Sequence, residues 1–144
     1  MRAVVQRVLE ASVSIGGKIV GSIGKGYLVY LGVHVDDQKE NVQKMAQKIH
    51  NLRVFEDEQG KMNLSLNQVN GSILAISQFT LHGDTKGNNR PSFINAARPE
   101  VAEPLYELFL SELSVDHHVE KGVFGADMKV SSINDGPVTI IIEI

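Results

Sequence analysis

The chain has 144 residues, 42% of them hydrophobic, which is enough for one ordinary core, and its 13 glycines and 4 prolines divide it into many short elements. No stretch approaches the roughly 20 apolar residues that cross a bilayer, and the lack of cysteine removes disulfides, thiolate nucleophiles and cysteine-bound metal. A net charge of −3 argues against broad, sequence-independent binding to phosphate backbones, so any nucleic-acid partner must be met locally.

Residues 1–8 have no apolar core ahead of a cleavage site and are expected to form a strand, with cytoplasm as the default location. Residues 2–8 and 11–15 are rich in β-branched side chains, and Gly16-Gly17 joins the second run to residues 18–23 in a hairpin pattern. Residues 27–33 are almost continuously apolar, as in a strand buried on both faces. From Asp37 the period changes: Val42, Met45, Ala46 and Ile49 predict an amphipathic helix capped by Asp36 or Asp37. Residues 52–55 predict a strand ended by a polar turn over 56–61, and residues 72–79 predict another, mostly apolar strand. Residues 82–89 form a polar, glycine-containing loop, long enough to be functional or mobile.

A second helix is expected from about 99 to 113, with Val101, Leu105, Leu108, Phe109 and Leu113 on one face. Pro104 is its weak point, because an interior proline removes an amide donor and clashes one turn back. Residues 128–133 and 138–142 predict two strands joined by a turn over 134–137. The class is α+β: a single domain over 1–144, with a mainly antiparallel, curved, barrel-like sheet covered by two helices.

The pentapeptide Ser77-Gln78-Phe79-Thr80-Leu81 supplies hydroxyl and amide groups beside an aromatic face, at the end of a buried strand. Taken alone it fits a structural role equally well. Gly136-Pro137 in isolation is only a turn, since about 5% of X-Pro bonds in folded proteins are cis. The histidines at 34, 50 and 82 are scattered, and adjacent His117 and His118 would point to opposite faces of a strand, so no metal site is expected. Arg90 suits either a phosphate or a carboxylate partner, whereas Arg7 is expected to hold the Gly-Pro loop. Asp127 suits a general base or a carboxylate satisfying turn amides. The glycines between 16 and 26 lack a dinucleotide fingerprint and its following helix.

In combination these segments are more specific. Residues 77–81, the block Arg90-Pro91-Ser92-Phe93, the block Phe124-Gly125-Ala126-Asp127-Met128 and residues 134–139 have the order and spacing of the D-aminoacyl-tRNA deacylase family, of the D-tyrosyl-tRNA deacylase type. Val5-Gln6-Arg7-Val8 and Gly60-Lys61-Met62-Asn63 extend the resemblance over essentially the whole chain. It implies a cytoplasmic homodimer that hydrolyses the ester joining a D-amino acid to the 3′-terminal adenosine of tRNA. It further implies a cis Gly-Pro peptide that enters the partner subunit's site, so that Gly136 and Pro137 reject L substrates; a steric filter of this kind is expected to admit glycine too, which has no side chain to collide with it. Ser77, Gln78, Phe79 and Thr80 would then form the catalytic pocket, and Phe124, Met128 and Ala102 its walls.

No cofactor or metal is needed, because an aminoacyl ester is already activated and a site need only hold the carbonyl, stabilise the oxyanion and orient a nucleophile. Thr80 as a covalent nucleophile needs a base, and none is evident in the motif. Water attack assisted by the substrate's ribose hydroxyl, with Thr80 positioning, is the favoured reading. The competing function is a non-catalytic dimeric module that binds RNA ends or a small molecule in the same pocket.

Overall fold

The computed structural model describes every residue from Met1 to Ile144. The two predicted N-terminal runs are one 14-residue strand, β1 (Arg2–Ile15). Its phase changes midway: Ala3 and Val5 enter the larger core, while Val8, Ala11 and Val13 enter a smaller second one. The register irregularities around Val8 allow this, because an extra residue in a ladder turns the following side chains to the other face. One strand therefore lines two cores, and the sheet must curve.

β1 turns through Gly16 (φ +56°) and Gly17 (φ +82°) into β2 (Lys18–Ile23), a two-residue hairpin whose positive φ angles glycine adopts without steric penalty. β3 (Gly26–Gly32) pairs antiparallel with the first half of β1. Helix α1 (Lys39–Asn51) buries the expected Val42, Met45, Ala46 and Ile49. Its N-cap is Gln38, not Asp36 or Asp37. Asp37 is instead taken up by tertiary partners, accepting from the Met1 amino group at 2.8 Å and from the His34 amide at 2.7 Å.

β4 (Arg53–Glu56) forms a separate ribbon with β5 (Met62–Ser65), a strand the sequence pattern did not reveal. β6 (Ser72–Ser77) lies parallel to β3, and the short β7 (Val119–Lys121) lies parallel to β6. The barrel-like sheet is thus mixed, since α1 and helix α2 (Pro99–Ser114) lie in the long crossovers that parallel pairing requires. On α2 the buried face is Ala102, Leu105, Tyr106, Phe109, Leu110 and Leu113, whereas Val101 points to solvent. Pro104 is exposed, and the helix continues through it.

The largest departure from expectation is at the C-terminus. Residues 129–143 are a single strand, β8 (Lys129–Glu143), pairing with β1 in one antiparallel ladder from Ser14↔Lys129 to Arg2↔Glu143. There is no hairpin at Gly136-Pro137. Val8 pairs with Asn134 and Gln6 with Thr139, so residues 135–138 are extra residues opposite Arg7, with Gly136 and Pro137 projecting and Val138 turned into the core.

Candidate active site

Where β6 ends, the chain turns through Gln78 into a 3-10 turn, Phe79–His82. Two buried anchors fix this turn against β3. The Gln78 amide donates to the Leu31 carbonyl at 2.8 Å, continuing the parallel ladder by one residue. The His82 ring Nε2 lies 3.0 Å from the Gly32 carbonyl. Burial pulls the His82 pKa below its ordinary value, opposed by the Gly32 hydrogen bond and reinforced by the nearby amino terminus and Arg2. Arg2 reaches in as well, donating from Nη1 to the Leu81 carbonyl at 2.6 Å. A Cβ at Gly32 would meet the Gln78 carbonyl oxygen at 3.0 Å, so a side chain there would push the turn away.

The turn forms one wall of a cavity of about 560 Å³. Ser77, Gln78 and Phe79 line that wall; Phe124, Asp127 and Met128 face it from the segment before β8, and Ala102 closes it from the first turn of α2. Seven of the residues singled out from sequence therefore share one cavity. Thr80 is adjacent and not itself in the lining, and its Oγ1 accepts from the Gln78 Nε2 at 2.6 Å. The amides of Phe79 and Thr80 open the 3-10 turn, so they have no carbonyl one turn earlier to bond.

Packing sets the walls. Phe124 lies against Tyr106 with ring centroids 6.2 Å apart, and the Tyr106 hydroxyl is held by the Ala75 carbonyl at 2.8 Å. Met128 enters because position 122 is glycine: a Cβ there would come within 2.4 Å of the Met128 sulfur. The lining is mainly apolar and Asp127 is its one charged residue, paired on the surface with Lys129 at 2.9 Å. An exposed pair of this kind contributes little.

Sequence reasoning missed Phe93, Ala96 and Ala97 as lining residues. Phe93 meets Phe79 edge-on at 5.1 Å, and its signal was present in the block at residues 90–93. No local pattern marks the two alanines. His50 and His117, apparently unrelated in sequence, meet between the helices with ring nitrogens 2.9 Å apart.

Gly136 and Pro137 lie elsewhere. Their peptide bond is cis, both residues are exposed, and neither lines the cavity of its own chain. The bulge is held from below by Arg7, which is 5% exposed. Arg7 donates from Nε to the Asp135 carbonyl at 3.1 Å and from Nη1 to the Val54 carbonyl at 2.7 Å. Asn134 ties the bulge across its base: its Oδ1 accepts the Val138 amide and its Nδ2 donates to Thr139 Oγ1, each at 3.1 Å.

The architecture is that of a small α+β protein with a curved mixed sheet, an apolar cavity at its parallel edge, and a turn of hydroxyl, amide and aromatic groups along one wall. The chain belongs to the D-Tyr-tRNA(Tyr) deacylase family, whose profile matches residues 4–143, and is thus a hydrolase of the aminoacyl-tRNA ester bond. A solved structure described as "c-Myc DNA Unwinding Element Binding Protein" is 44% identical to it, with a TM-score of 0.95 over 100% of this chain and 99% of that one. Another, described as "a probable eukaryotic D-amino acid tRNA deacylase", shares the fold at 19% identity, with a TM-score of 0.86 over 99% of this chain and 98% of that one.

Proposed function

We propose that the protein removes D-amino acids, and glycine, from the 3′-terminal adenosine of tRNA, and that it does so as a two-fold dimer in which the Gly136-Pro137 bulge of one protomer enters the cavity of the other. The observation that carries this reading is the separation within one chain of an exposed, tightly braced bulge from the cavity that holds residues 77–79, Ala102, Phe124 and Met128. An isologous interface brings each bulge to the other protomer's cavity and makes two equivalent sites.

In the reaction, a water oxygen attacks the ester carbonyl carbon, and the resulting oxyanion is met by the free amides of Phe79 and Thr80. The bond to the ribose 3′-oxygen then breaks, and that oxygen takes a proton. Thr80 Oγ1 is engaged by Gln78, so its part is to position, and proton transfer falls to the substrate's own 2′-hydroxyl. Rejection of L substrates is steric: the braced bulge occupies the side of the α-carbon where an L side chain would project. Discrimination of ~10⁴ needs about 5.5 kcal/mol, which a rigid wedge supplies and a soft apolar pocket, at ~1–3 kcal/mol, does not. Glycine has no side chain to collide, so it passes.

The test is multiple-turnover hydrolysis of matched D-alanyl, L-alanyl and glycyl esters of one tRNA. Rapid cleavage of the D-alanyl and glycyl esters with L-alanyl spared is expected. Strong rejection of glycyl would mean positive recognition of a D side chain, and binding without turnover of any ester would leave a non-catalytic RNA-end module.

A further inference from the structure

We propose that the flap over residues 84–92, with the adjoining Arg98, is the element that grips the RNA: Lys86, Arg90 and Arg98 bind the sugar–phosphate backbone of the single-stranded 3′ end while the aminoacyl group occupies the cavity. The inference rests on the deacylase reading above and assigns the macromolecular half of its substrate.

The flap is a built feature. Asp84 and Ser92 exchange two backbone hydrogen bonds, each 2.8 Å, which close an antiparallel bridge at its base. Two side-chain turns order the tip: Asp84 Oδ1 accepts the Lys86 amide at 2.8 Å, and Asn88 Oδ1 accepts the Arg90 amide at 3.3 Å. Every residue from 84 to 95 is exposed, so the flap is not held out by burial of its own side chains. Exposed backbone shaped without apolar burial is characteristic of binding loops.

Its position suits a strand of RNA leaving the cavity. Phe93 directly follows the bridge and lines the cavity mouth, in edge contact with Phe79. Arg98 is the N-cap of α2, one residue before Pro99, which also lines the cavity. Lys86 and Arg90 thus precede Phe93, and Arg98 precedes Pro99, in the segment that leads into the cavity lining.

Charge favours the same assignment. Lys86, Arg90 and Arg98 have no ion-pair partner in the chain, a state they share with Arg53 and six other lysines, and they are set apart by their place beside the cavity-lining Phe93 and Pro99. The one acid of the segment, Asp84, has an oxygen already engaged by the Lys86 amide. Because the whole molecule carries −3, attraction to a polyanion must come from a local excess of this kind. The lysines of α1, at 39, 44 and 48, are as numerous, but no residue of α1 lines the cavity.

The test compares the wild type with a Lys86→Ala/Arg90→Ala double variant on two substrates, D-tyrosyl-tRNA and D-tyrosyl-adenosine, the latter without phosphates. The variant should lose kcat/KM on the tRNA, mainly through KM, and match the wild type on the nucleoside ester. Two phosphate contacts to a single strand contribute about 1.4 to the salt slope, so the difference between the proteins should narrow about sevenfold between roughly 50 and 200 mM salt. Equal losses on both substrates would show a structural effect and overturn the assignment, as would an unchanged salt slope. Anisotropy with uncharged tRNA decides the flap independently of hydrolysis. If the wild type cleaves neither ester, the deacylase reading fails, while a slope lowered by about 1.4 in the variant still supports the flap and an unaltered slope overturns it.

Discussion

Arg7→Lys separates two accounts of the bulge. If Arg7 acts as a charge, the carboxylates of Asp135 at 3.4 Å and Glu56 at 4.0 Å are its partners, and lysine should replace it. Both carboxylates are substantially exposed, with side chains 42% and 60% accessible, so their attraction is screened and small. If Arg7 acts as a fork, its value lies in joining the Asp135 and Val54 carbonyls from one buried guanidinium, and a point-like ammonium satisfies only one of them. Losing one charge-assisted hydrogen bond costs about 1.5–3 kcal/mol. At about 3 °C per kcal/mol for a domain of this size, Tm should fall by about 5–9 °C. Arg7→Met leaves both carbonyls unpaired and should cost about 3–5 kcal/mol. The assays are thermal unfolding and the ratio of D- to L-tyrosyl-tRNA hydrolysis, which should fall in Arg7→Lys because the bulge is no longer fixed on both sides. A lysine variant within about 0.5 kcal/mol of wild type and with its selectivity intact would refute the fork argument.

Gly136→Ala places a Cβ 2.7 Å from Val138 Cγ2 and 3.2 Å from Arg7 Nη2 at a φ of +132°, and should cost about 1–3 kcal/mol with loss of chiral selectivity, checked by thermal unfolding and hydrolysis of both enantiomeric esters. Thr80→Ala should retain substantial kcat, since the Phe79 and Thr80 amides survive, whereas replacing the substrate's 2′-hydroxyl by hydrogen should hurt more; a trapped acyl-Thr80 species would reverse that order. His117 is held below its ordinary pKa first by burial and then by His50, so the unfolded chain binds the proton more readily. Its contribution is present above the unfolded value near 6.5 and is lost as pH falls towards the folded one, so His117→Gln should flatten the decline of Tm between about pH 7.5 and 5.5; parallel pH curves for the two proteins would contradict this.

Local sequence determined what local physics governs. The apolar period of α1 picks out its buried face, and Gly16-Gly17 sets a hairpin whose two positive φ angles other residues would strain to reach. The block at residues 77–81 also marks its own place, because a buried apolar run that ends in polar groups must surface there. Tertiary structure decided the rest. Phe124 to Met128 and Ser77 to Phe79 are far apart in sequence and meet only because β1 pairs with β8 along one edge and with β3 along the other, so neither segment alone indicates a cavity. β5 and β7 are too short for a periodicity to register, and partners found by folding define them. Whether the chain reverses at Gly136-Pro137 or bulges and continues is the same question locally, because both put a glycine and a proline between two β-rich runs. The ladder to β1, more than a hundred residues away, settles that the chain continues, and Arg7 at its centre turns that bulge into a braced projection.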